Sequence, residues 1–304
     1  MSTVGLVVNP VAGTGQGTRV GRRAHRLLER AGHVVHDLSA PTLAQATSRA
    51  RQAATAGLDA LVVVGGDGMV HLGVDVVAGT DVPLGVVAVG TGNDVARALG
   101  LPRADVDKAV AVIDRALRAA PQRVDALRAG PPDGSASTWC AGVLSCGLDA
   151  AVNARANALT WPRGHARYLR ALPPELAAFR PYGYRVQVDD TVWESAGTLV
   201  AVANTPWFGG GLPIAPDAVP DDGLLDVVLA GPLTRTQALG VFPRIYRGRH
   251  VDDPRVQVLR GRRVLVEAAP ALGPPPPVAF ADGERVGALP LVVEVVPGAL
   301  GVLR

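Results

Sequence analysis

Short valine-rich runs alternate with amphipathic segments along the chain up to about residue 120. The runs have the length and composition of buried strands, and they occupy residues 4–8, 34–38, 61–64 and 84–89. The intervening segments space their apolar residues as helices do, at 21–30, 43–56, 70–78, 94–99 and in a further helix with Val106, Val110, Ile113 and Leu117 on one face. Strands that alternate with helices form parallel sheets with right-handed crossovers. The first part of the chain is therefore predicted to be an α/β domain.

The pattern changes after about residue 123. Strand-like runs follow without regular helices between them, at 138–144, 184–188, 198–203, 224–229, 264–267 and 291–296. Two segments in this part, 160–179 and 234–246, are predicted to be helical. We therefore expect an α/β domain over 1–124, to which the tail 297–304 returns, and a mostly antiparallel β-sandwich over 125–296, with a cleft between them.

Composition excludes several classes of protein. The chain is 48% hydrophobic, but it has no apolar run long enough to cross a bilayer and no signal peptide, so we expect a cytoplasmic protein. The net charge is only +3 and the arginines are scattered, which argues against a nucleic-acid partner. Cys140 and Cys146 fit no metal-binding pattern.

Lysine content excludes two common ways of binding ATP. Lys108 is the only lysine, and it follows an aspartate. A P-loop needs Gly-Lys-Ser/Thr, and a protein kinase needs a strand lysine that reaches the phosphates. A nucleotide would therefore have to be bound by backbone amides, helix ends, arginine or metal.

The sharpest motif is a buried strand, 62–64, that runs into Gly65-Gly66-Asp67-Gly68 before a helix. Ligands bind outside the carboxyl ends of strands in open α/β sheets, and glycine lets the backbone approach them closely. Free amides at the helix start suit phosphate, and Asp67 could hold Mg²⁺ directly or through water. The alternative is a tight turn in which Asp67 is a helix N-cap.

Two similar loops follow neighbouring predicted strands. One is Gly90-Thr91-Gly92-Asn93-Asp94, in which Asn93 and Asp94 can cap a helix or join a metal shell. The other is the glycine-rich loop 9–17, which fails the dinucleotide fingerprint because Thr18 stands where the last glycine belongs. Three such loops at adjacent strand ends predict a phosphate-binding edge.

Asp282 and Glu284 are candidates for the group that orients a reacting hydroxyl. If residues 281–283 are extended, both carboxylates point to one face, and their repulsion raises a pKa toward that of a useful base. The alternative is a hairpin turn with two solvated acids.

The combined motifs resemble the diacylglycerol kinase catalytic domain family, which includes bacterial lipid kinases and the sphingosine and ceramide kinases. The resemblance is carried by Asn9-Pro10-x-x-Gly13 and by the two glycine loops at 65–68 and 90–94. It continues through 209–211, 214–218 and 221–227, and through Asp282-Gly283-Glu284. It spans nearly the whole chain, whereas the glycine-aspartate motif alone is shared with NAD kinases and phosphofructokinases.

The resemblance implies an NAD kinase/diacylglycerol kinase-like first domain and an ATP- and Mg²⁺-dependent lipid kinase, a transferase of phospholipid biosynthesis. Such an enzyme phosphorylates a primary hydroxyl of diacylglycerol, giving phosphatidic acid, or of a related sphingoid lipid. Its lipid partner lies at the membrane surface, so the resemblance implies peripheral contact with the inner membrane face; a homodimer stays open. The implied nucleotide-binding residues are Asn9, Pro10, Val11, Ala12, Gly13, Ser39, Gly66, Asp67, Gly68, Met69, Val70, His71, Leu72 and Thr91.

The resemblance also implies two metal sites and a catalytic pair. Asp67, Asp94 and Asp125, the last in an interdomain strand, would organise the catalytic Mg²⁺. A second, structural Mg²⁺ would be held by the Asp222 carboxylate and the carbonyls of Val219 and Leu224. Asp282 and Glu284 would be the catalytic carboxylates.

The chain departs from the family after the glycine-aspartate turn. The family usually has Thr, then Asn and Glu, where Met69, His71 and Leu72 stand here. This departure motivates one alternative, a non-catalytic nucleotide-binding regulatory module. The nearest enzymatic alternative is a kinase for a soluble substrate such as NAD. A dinucleotide-dependent oxidoreductase is disfavoured by the glycine spacing.

Overall fold

The chain forms two compact units in a computed structural model that describes residues 1–161 and 166–304, without the side chains of residues 13 and 14. Residues 1–126 and 297–304 make up the first unit, and residues 127–296 make up the second. The chain passes from one unit to the other within two strands, Gln122–Gly130 and Leu291–Val302.

The first unit alternates strands and helices as the sequence predicts. Its elements are β1 Thr3–Val8, α1 Ala12–Gly15, α2 Gly17–Arg30, β2 Val34–Asp37, α3 Leu43–Thr55, β3 Ala60–Gly65, α4 Asp67–Val77, β4 Leu84–Ala88, α5 Asp94–Ala98, α6 Val106–Leu117 and the first part of β5 Gln122–Gly130. The strand order is β2-β1-β3-β4, and these strands are parallel. The carboxyl ends of β1, β3 and β4 therefore meet at one edge, where the glycine loops begin.

Apolar residues on strands and helices close the core of this unit. All six residues of β3 are buried, which is typical of a central strand covered on both faces. Helix α2 buries Gly21, Ala24 and Leu28 at a spacing of three and four residues, so one face packs on the sheet. Side chains cap two of the helices: Thr42 Oγ1 accepts from Gln45 N–H at 3.3 Å, and Asp105 Oδ1 accepts from Lys108 N–H at 3.0 Å.

The second unit is richer in strands. Its elements are the rest of β5, β6 Thr138–Cys140, β7 Val143–Gly147, α7 Leu148–Ala158, α8 Ala166–Ala178, β8 Tyr182–Val188, β9 Thr191–Gly197, β10 Leu199–Ala203, β11 Trp207–Phe208, β12 Leu212–Pro213, β13 Leu225–Ala230, α9 Arg235–Ile245, a 3₁₀ turn Arg249–Asp252, β14 Val256–Gly261, β15 Arg263–Ala268, β16 Ala279–Ala281, β17 Glu284–Gly287 and the first part of β18 Leu291–Val302.

Two antiparallel sheets of this unit share one core. The first has the order β14-β13-β10-β7-β16-β17, and the second contains β18, β15, β8 and β9. Buried side chains from both sheets pack together, among them Leu144, Val200 and Val227 from the first and Val186 and Val264 from the second. This is the packing of a β-sandwich.

The predicted architecture, a parallel α/β half followed by a mostly antiparallel sandwich, is confirmed. No helix in the described part of the chain is both long enough and apolar enough to cross a membrane.

One local prediction was wrong, one helix was missed, and one predicted helix is present over a shorter range. The single strand expected at 138–144 is divided into β6 and β7 at residues 141 and 142, where Ala141 N–H donates to the Asp282 carboxylate. Helix α7 was not predicted, since its buried residues are mostly small or polar, such as Ala150, Asn153 and Ala156. The helix expected over 160–179 covers only Ala166–Ala178, and residues 162–165 of that segment lie outside the described residues.

Candidate functional site

The three glycine loops are hydrogen-bonded to neighbouring strand ends in the first unit. The N–H of Asn9, after β1, donates to Val64 O at 3.0 Å, and the N–H of Val89, after β4, donates to Gly65 O at 2.9 Å. The strand ends that the sequence predicted to be adjacent therefore do lie side by side.

Two of the loops are in backbone contact. A β-carbon built on Gly90 would lie 2.3 Å from Cα of Gly66, a distance that no real side chain tolerates. Glycine is required at position 90 because the loop after β3 occupies the space that a side chain would need. The contact fixes the two loops against each other.

Asp67 joins the same two loops through its side chain. Its Oδ2 accepts from Asn93 N–H at 2.8 Å, and its Oδ1 accepts from Asp94 N–H at 2.7 Å. Helix α4 begins at Asp67 with Gly66 as its N-cap, so Asp67 does not cap its own helix. It holds the first turn of α5 instead, where a carboxylate is favoured by the helix dipole.

Asn93 completes this junction. Its backbone is left-handed, with φ at 56°, and its amide accepts from Gly90 N–H at 3.0 Å and donates to Gly90 O at 2.8 Å. Asn tolerates this conformation better than most residues because its short amide can bond the local backbone. Asp94 follows and is only 6% exposed. Asp67 and Asp94 thus lie together. Asp125 is also buried in this unit and accepts from Gly298 N–H at 2.8 Å.

The loop after β1 contains a short helical turn that was not predicted. Val11 N–H donates to Asn9 Oδ1 at 3.1 Å, and the turn α1 covers Ala12–Gly15. Gly13 belongs to this turn. A β-carbon on Gly17 would lie 2.0 Å from Asn9 O, so the loop folds tightly back on itself.

The four predicted nucleotide-binding residues at positions 69–72 differ in how far their side chains are exposed to solvent. Met69, Val70 and Leu72 are at most 5% exposed, so their side chains are core residues and only their backbone could contact a phosphate. His71 is half-buried. Thr91, in the next loop, is exposed.

A cavity of about 570 Å³ lies beside β1 and β2. Ser39 and Pro10, both predicted to lie near a nucleotide, are among its lining residues. Ser39 Oγ accepts from Val8 N–H at 2.9 Å, which fixes the hydroxyl at the end of β1. The volume is in the range of small-molecule sites.

The basic residues of this cavity were not predicted from the sequence. Arg22, His25 and Arg26 of α2 line it. Their spacing of three and four residues places them on one helix face, and that spacing was the available signal.

In the second unit, Asp282 and Gly283 form a hairpin turn between β16 and β17. Their φ angles are 52° and 89°, so the premise of an extended segment at 281–283 was wrong. Such positive angles at both central residues are typical of tight hairpins, and the sequence Asp-Gly favours them. Glu284 is half-buried and begins β17.

Asp282 is not simply a solvated acid. Its carboxylate accepts from the N–H groups of Ala141 and Val143, each at 3.2 Å, and its own N–H donates to Val143 O at 3.3 Å. These bonds fix the carboxylate at the beginning of β7.

Helix α7 holds the same turn from another side. Asn153 Nδ2 and Asn157 Nδ2 both donate to Gly283 O, at 3.2 and 3.3 Å. Tyr168 of α8 donates its hydroxyl to Asn153 Oδ1 at 3.0 Å, which orients that amide. Neither asparagine was predicted as a site residue, because only the fold brings α7 to the turn.

A half-buried acid, Asp149, lies at the start of the same helix. Burial raises the pKa of Asp149 to about 6, and the hydrogen bond that Ser145 Oγ donates to it opposes the rise. Burial also raises the pKa of the neighbouring Cys146 thiol, which stays protonated. Ser145 and Cys146 belong to β7, the strand whose start holds Asp282.

The predicted structural metal site contains an ion pair. The Asp222 carboxylate is bonded to the Arg260 guanidinium and accepts from Leu224 N–H at 3.0 Å. Arg260 Nε also lies 3.4 Å from Asp226 Oδ1, and burial raises the pKa of Asp226. Arg260 thus supplies the positive charge that a cation would bring, and a cation at Asp222 would have to displace it.

The described residues contain no group of three or more His, Cys, Asp or Glu side chains placed to hold a metal ion. A nucleotide-bound Mg²⁺ does not require one, because it takes one or two carboxylates together with phosphates and waters. Asp67 and Asp94 are two carboxylates of the kind that such an ion needs. The Asp222 carboxylate is already paired with Arg260.

Two family models match this chain. The diacylglycerol kinase catalytic domain matches residues 3–129, and the YegS C-terminal NAD kinase beta sandwich-like domain matches residues 142–304. The division corresponds to the α/β and sandwich halves of the fold.

Known proteins resemble the chain over its full length. A diacylglycerol kinase of Mycobacterium tuberculosis (strain ATCC 25618 / H37Rv) is 36% identical over 302 residues, covering 99% of this chain and 94% of the relative. A diacylglycerol kinase of Bacillus subtilis (strain 168) is 26% identical over 292 residues, covering 95% and 92%. A crystal structure of a diacylglycerol kinase from Bacillus anthracis str. Sterne has the same fold, with a TM-score of 0.71, 19% identity and coverage of 99% and 96%. The glycine loops, the carboxylate turn and these full-length matches together show that the chain belongs to the diacylglycerol kinase family of lipid kinases.

Proposed function

We propose that this chain transfers the γ-phosphate of ATP to a primary hydroxyl of diacylglycerol, giving phosphatidic acid, or of a related sphingoid lipid. The junction of the two glycine loops through Asp67 carries the proposal. It places backbone amides and two carboxylates at the strand ends where α/β proteins bind phosphates.

The nucleotide is proposed to lie along this edge. Its phosphates contact the backbone of residues 9–13 and 66–72 and the Thr91 hydroxyl, and the cavity beside Ser39 takes the rest of the molecule. Arg22 and Arg26 add positive charge to that cavity. No lysine is needed when amides and guanidinium groups supply the donors.

Asp67, Asp94 and Asp125 are proposed to hold the nucleotide's Mg²⁺. The ion, when bound, neutralises charge on the phosphates. Asp67 then has a second task, because its two hydrogen bonds to α5 keep Asp94 in place. A structural Mg²⁺ at Val219, Asp222 and Leu224 stays a prediction, in competition with Arg260.

Asp282 or Glu284 is proposed to accept the proton of the lipid hydroxyl as it attacks. Phosphoryl transfer needs little covalent help from the protein, so a fixed carboxylate and correct positioning supply much of the catalysis. The Asp282 carboxylate is held in that position by hydrogen bonds from two backbone N–H groups. The hydrogen bond from Asn153 of α7 to Gly283 O holds the turn itself.

The departures at Met69 and Leu72 do not favour a non-catalytic module. Both side chains are buried, at 5% and 3% exposure, and act in packing. The carboxylates and glycines that the proposal uses are all present.

The first test is to incubate the purified protein with γ-labelled ATP, Mg²⁺ and micelles of diacylglycerol, sphingosine, ceramide or monoacylglycerol. We expect label in the organic phase with diacylglycerol or a sphingoid lipid. Label in NAD and none in any lipid would contradict the proposal, and so would ATP binding without transfer.

The second test is Asp282→Asn, which we expect to lower kcat by about 100-fold or more with little change in KM for ATP. Asp189→Asn is the matched control. Asp189 also has a positive φ of 48° in a hairpin turn, and its carboxylate also accepts from two amides, those of Arg262 and Arg263. Equal activity of the two variants would refute the role of Asp282.

A further inference from the structure

Helix α9 presents an apolar face to solvent. The helix begins at a capping box of Thr234 and Gln237, and Val241 is its buried residue. Leu239 and Tyr246 are 57% and 54% exposed, and half-buried Phe242 lies between them on the same face. The rings of Phe242 and Tyr246 pack edge to face with centroids 5.6 Å apart. An apolar helix face of this kind is typical of a surface that binds a partner or a membrane.

Arginines border this face at its C-terminal end. Arg244, Arg247 and Arg249 line a cavity of about 530 Å³ together with Phe242 and Tyr246. Arg244 forms an ion pair with Asp253 at 3.1 Å, and Arg255 pairs with the same aspartate. The hydrogen bond from Arg255 lowers the pKa of Asp253. Arg247 and Arg249 are exposed at the rim. Aromatic and aliphatic groups beside guanidinium groups match an anionic lipid surface, in which acyl chains lie below phosphates.

The segment after α9 is hydrogen-bonded to the loop that follows β12. His250, after α9, donates through Nε2 to Ile214 O at 2.8 Å. Ala215 N–H donates to Pro206 O at 3.2 Å, and Asn204 N–H donates to Gly142 O at 2.9 Å. Gly142 precedes Val143, whose O accepts from Asp282 N–H. A continuous set of contacts therefore joins the end of α9 to the turn.

We propose that Leu239, Phe242 and Tyr246 insert into the headgroup region of an anionic phospholipid bilayer while Arg247 and Arg249 bind its phosphates. This inference rests on the proposed function, since a lipid kinase must meet a substrate that is held in a membrane. The proposal names the surface of the protein that contacts the membrane, and it specifies that this membrane is anionic.

The test is co-sedimentation of the full-length protein with vesicles in the absence of ATP. We expect binding to phosphatidylcholine vesicles that contain 30% phosphatidylglycerol and much weaker binding to phosphatidylcholine alone. Arg247→Gln with Arg249→Gln should lower the partition coefficient on the anionic vesicles about 30-fold, given the usual contribution of each surface arginine. Leu239→Glu with Tyr246→Glu should lower it by at least about tenfold, because the apolar face is lost.

Val192→Glu is the control, because Val192 is a 48% exposed apolar residue on β9 of the same unit and should leave binding unchanged. Circular dichroism checks that each variant is folded. The proposal would be overturned if the α9 variants bound vesicles as well as the wild-type protein does. It would also be overturned if the wild-type protein were a dimer and the variants were monomers with unchanged vesicle binding, because α9 would then be a dimer interface. If the wild-type protein binds anionic vesicles through α9 but phosphorylates no lipid, the proposed function fails and the docking surface stands.

Discussion

Single residues determine how closely the glycine loops after β3 and β4 approach each other. Gly66 and Gly90 are in backbone contact, and Asp67 bonds the amides of Asn93 and Asp94 across the same gap. A larger residue at position 90 would separate the loops and weaken both hydrogen bonds, because each depends on the short distance. The arrangement of the two loops therefore depends on the absence of a side chain at Gly90 and on the carboxylate of Asp67.

Gly90→Ala should destabilise the first unit by about 1–3 kcal/mol, because its methyl group meets backbone that cannot move away easily. Denaturant unfolding of the variant measures the change, and KM for ATP should rise with it. Gly240→Ala is the control: it lies in α9 with open space around it and should be neutral or stabilising by up to about 1 kcal/mol. A neutral Gly90→Ala would show that the loops are not in contact.

At the scale of elements, the turn of Asp282 is shaped by its neighbours. It is bonded to the start of β7 through two amides, and α7 contributes two asparagine amides to Gly283 O. Tyr168 of α8 then orients Asn153. The helix pair α7 and α8 thus acts as a support for the proposed catalytic carboxylates, and its residues are positioning residues.

Asn153→Ala should lower kcat about tenfold while KM for ATP stays near its original value, because the turn loses a donor and its carboxylates lose their fixed position. Stability should fall by about 1–2 kcal/mol, since the hydrogen bond from the Tyr168 hydroxyl to Asn153 is lost. Gln187→Ala is the matched control, because Gln187 Nε2 donates to Asp189 O at 2.9 Å in the other aspartate hairpin of this unit. A purely structural role for Asn153 would lower stability and leave kcat unchanged.

At the scale of the whole molecule, residues far apart in the sequence form one unit. Residues 297–304 belong to the first unit, where Val302 pairs with Leu84 of β4 and Leu303 N–H donates to Leu84 O at 3.0 Å. Leu300 and Val302 are fully buried there. The parallel sheet of the first unit therefore depends on residues 297–304 as well as on residues 1–126.

Leu300→Ala should destabilise the first unit by about 2–5 kcal/mol, the usual loss for a buried leucine. Hydrogen exchange of peptides from β3 and β4 should report the change, although both strands lie far from Leu300 in the sequence. Leu272→Ala, at a 40% exposed leucine, should change stability by less than about 0.5 kcal/mol. Unchanged protection of β3 and β4 in Leu300→Ala would contradict this account.

The sequence by itself determined the two-part fold, because hydrophobic spacing distinguishes a buried parallel strand from a sandwich strand. It also placed the glycine loops at one edge, since parallel strands end on the same side. It failed where small or polar residues are buried, as in α7, and where a turn competes with a strand, as at Ala141 and Asp282.

Only the tertiary structure decided which partner each polar side chain takes. Asp67 bonds α5 rather than capping α4, Asp222 pairs with Arg260, and Asn153 and Asn157 meet at Gly283. These partners are 26 to 130 residues apart along the chain. A hydrogen bond depends on distance and direction within a few tenths of an ångström, and local spacing in a sequence carries no information about groups that distant. Local periodicity could therefore predict the strands and helices, but the contacts of the candidate site required the folded chain.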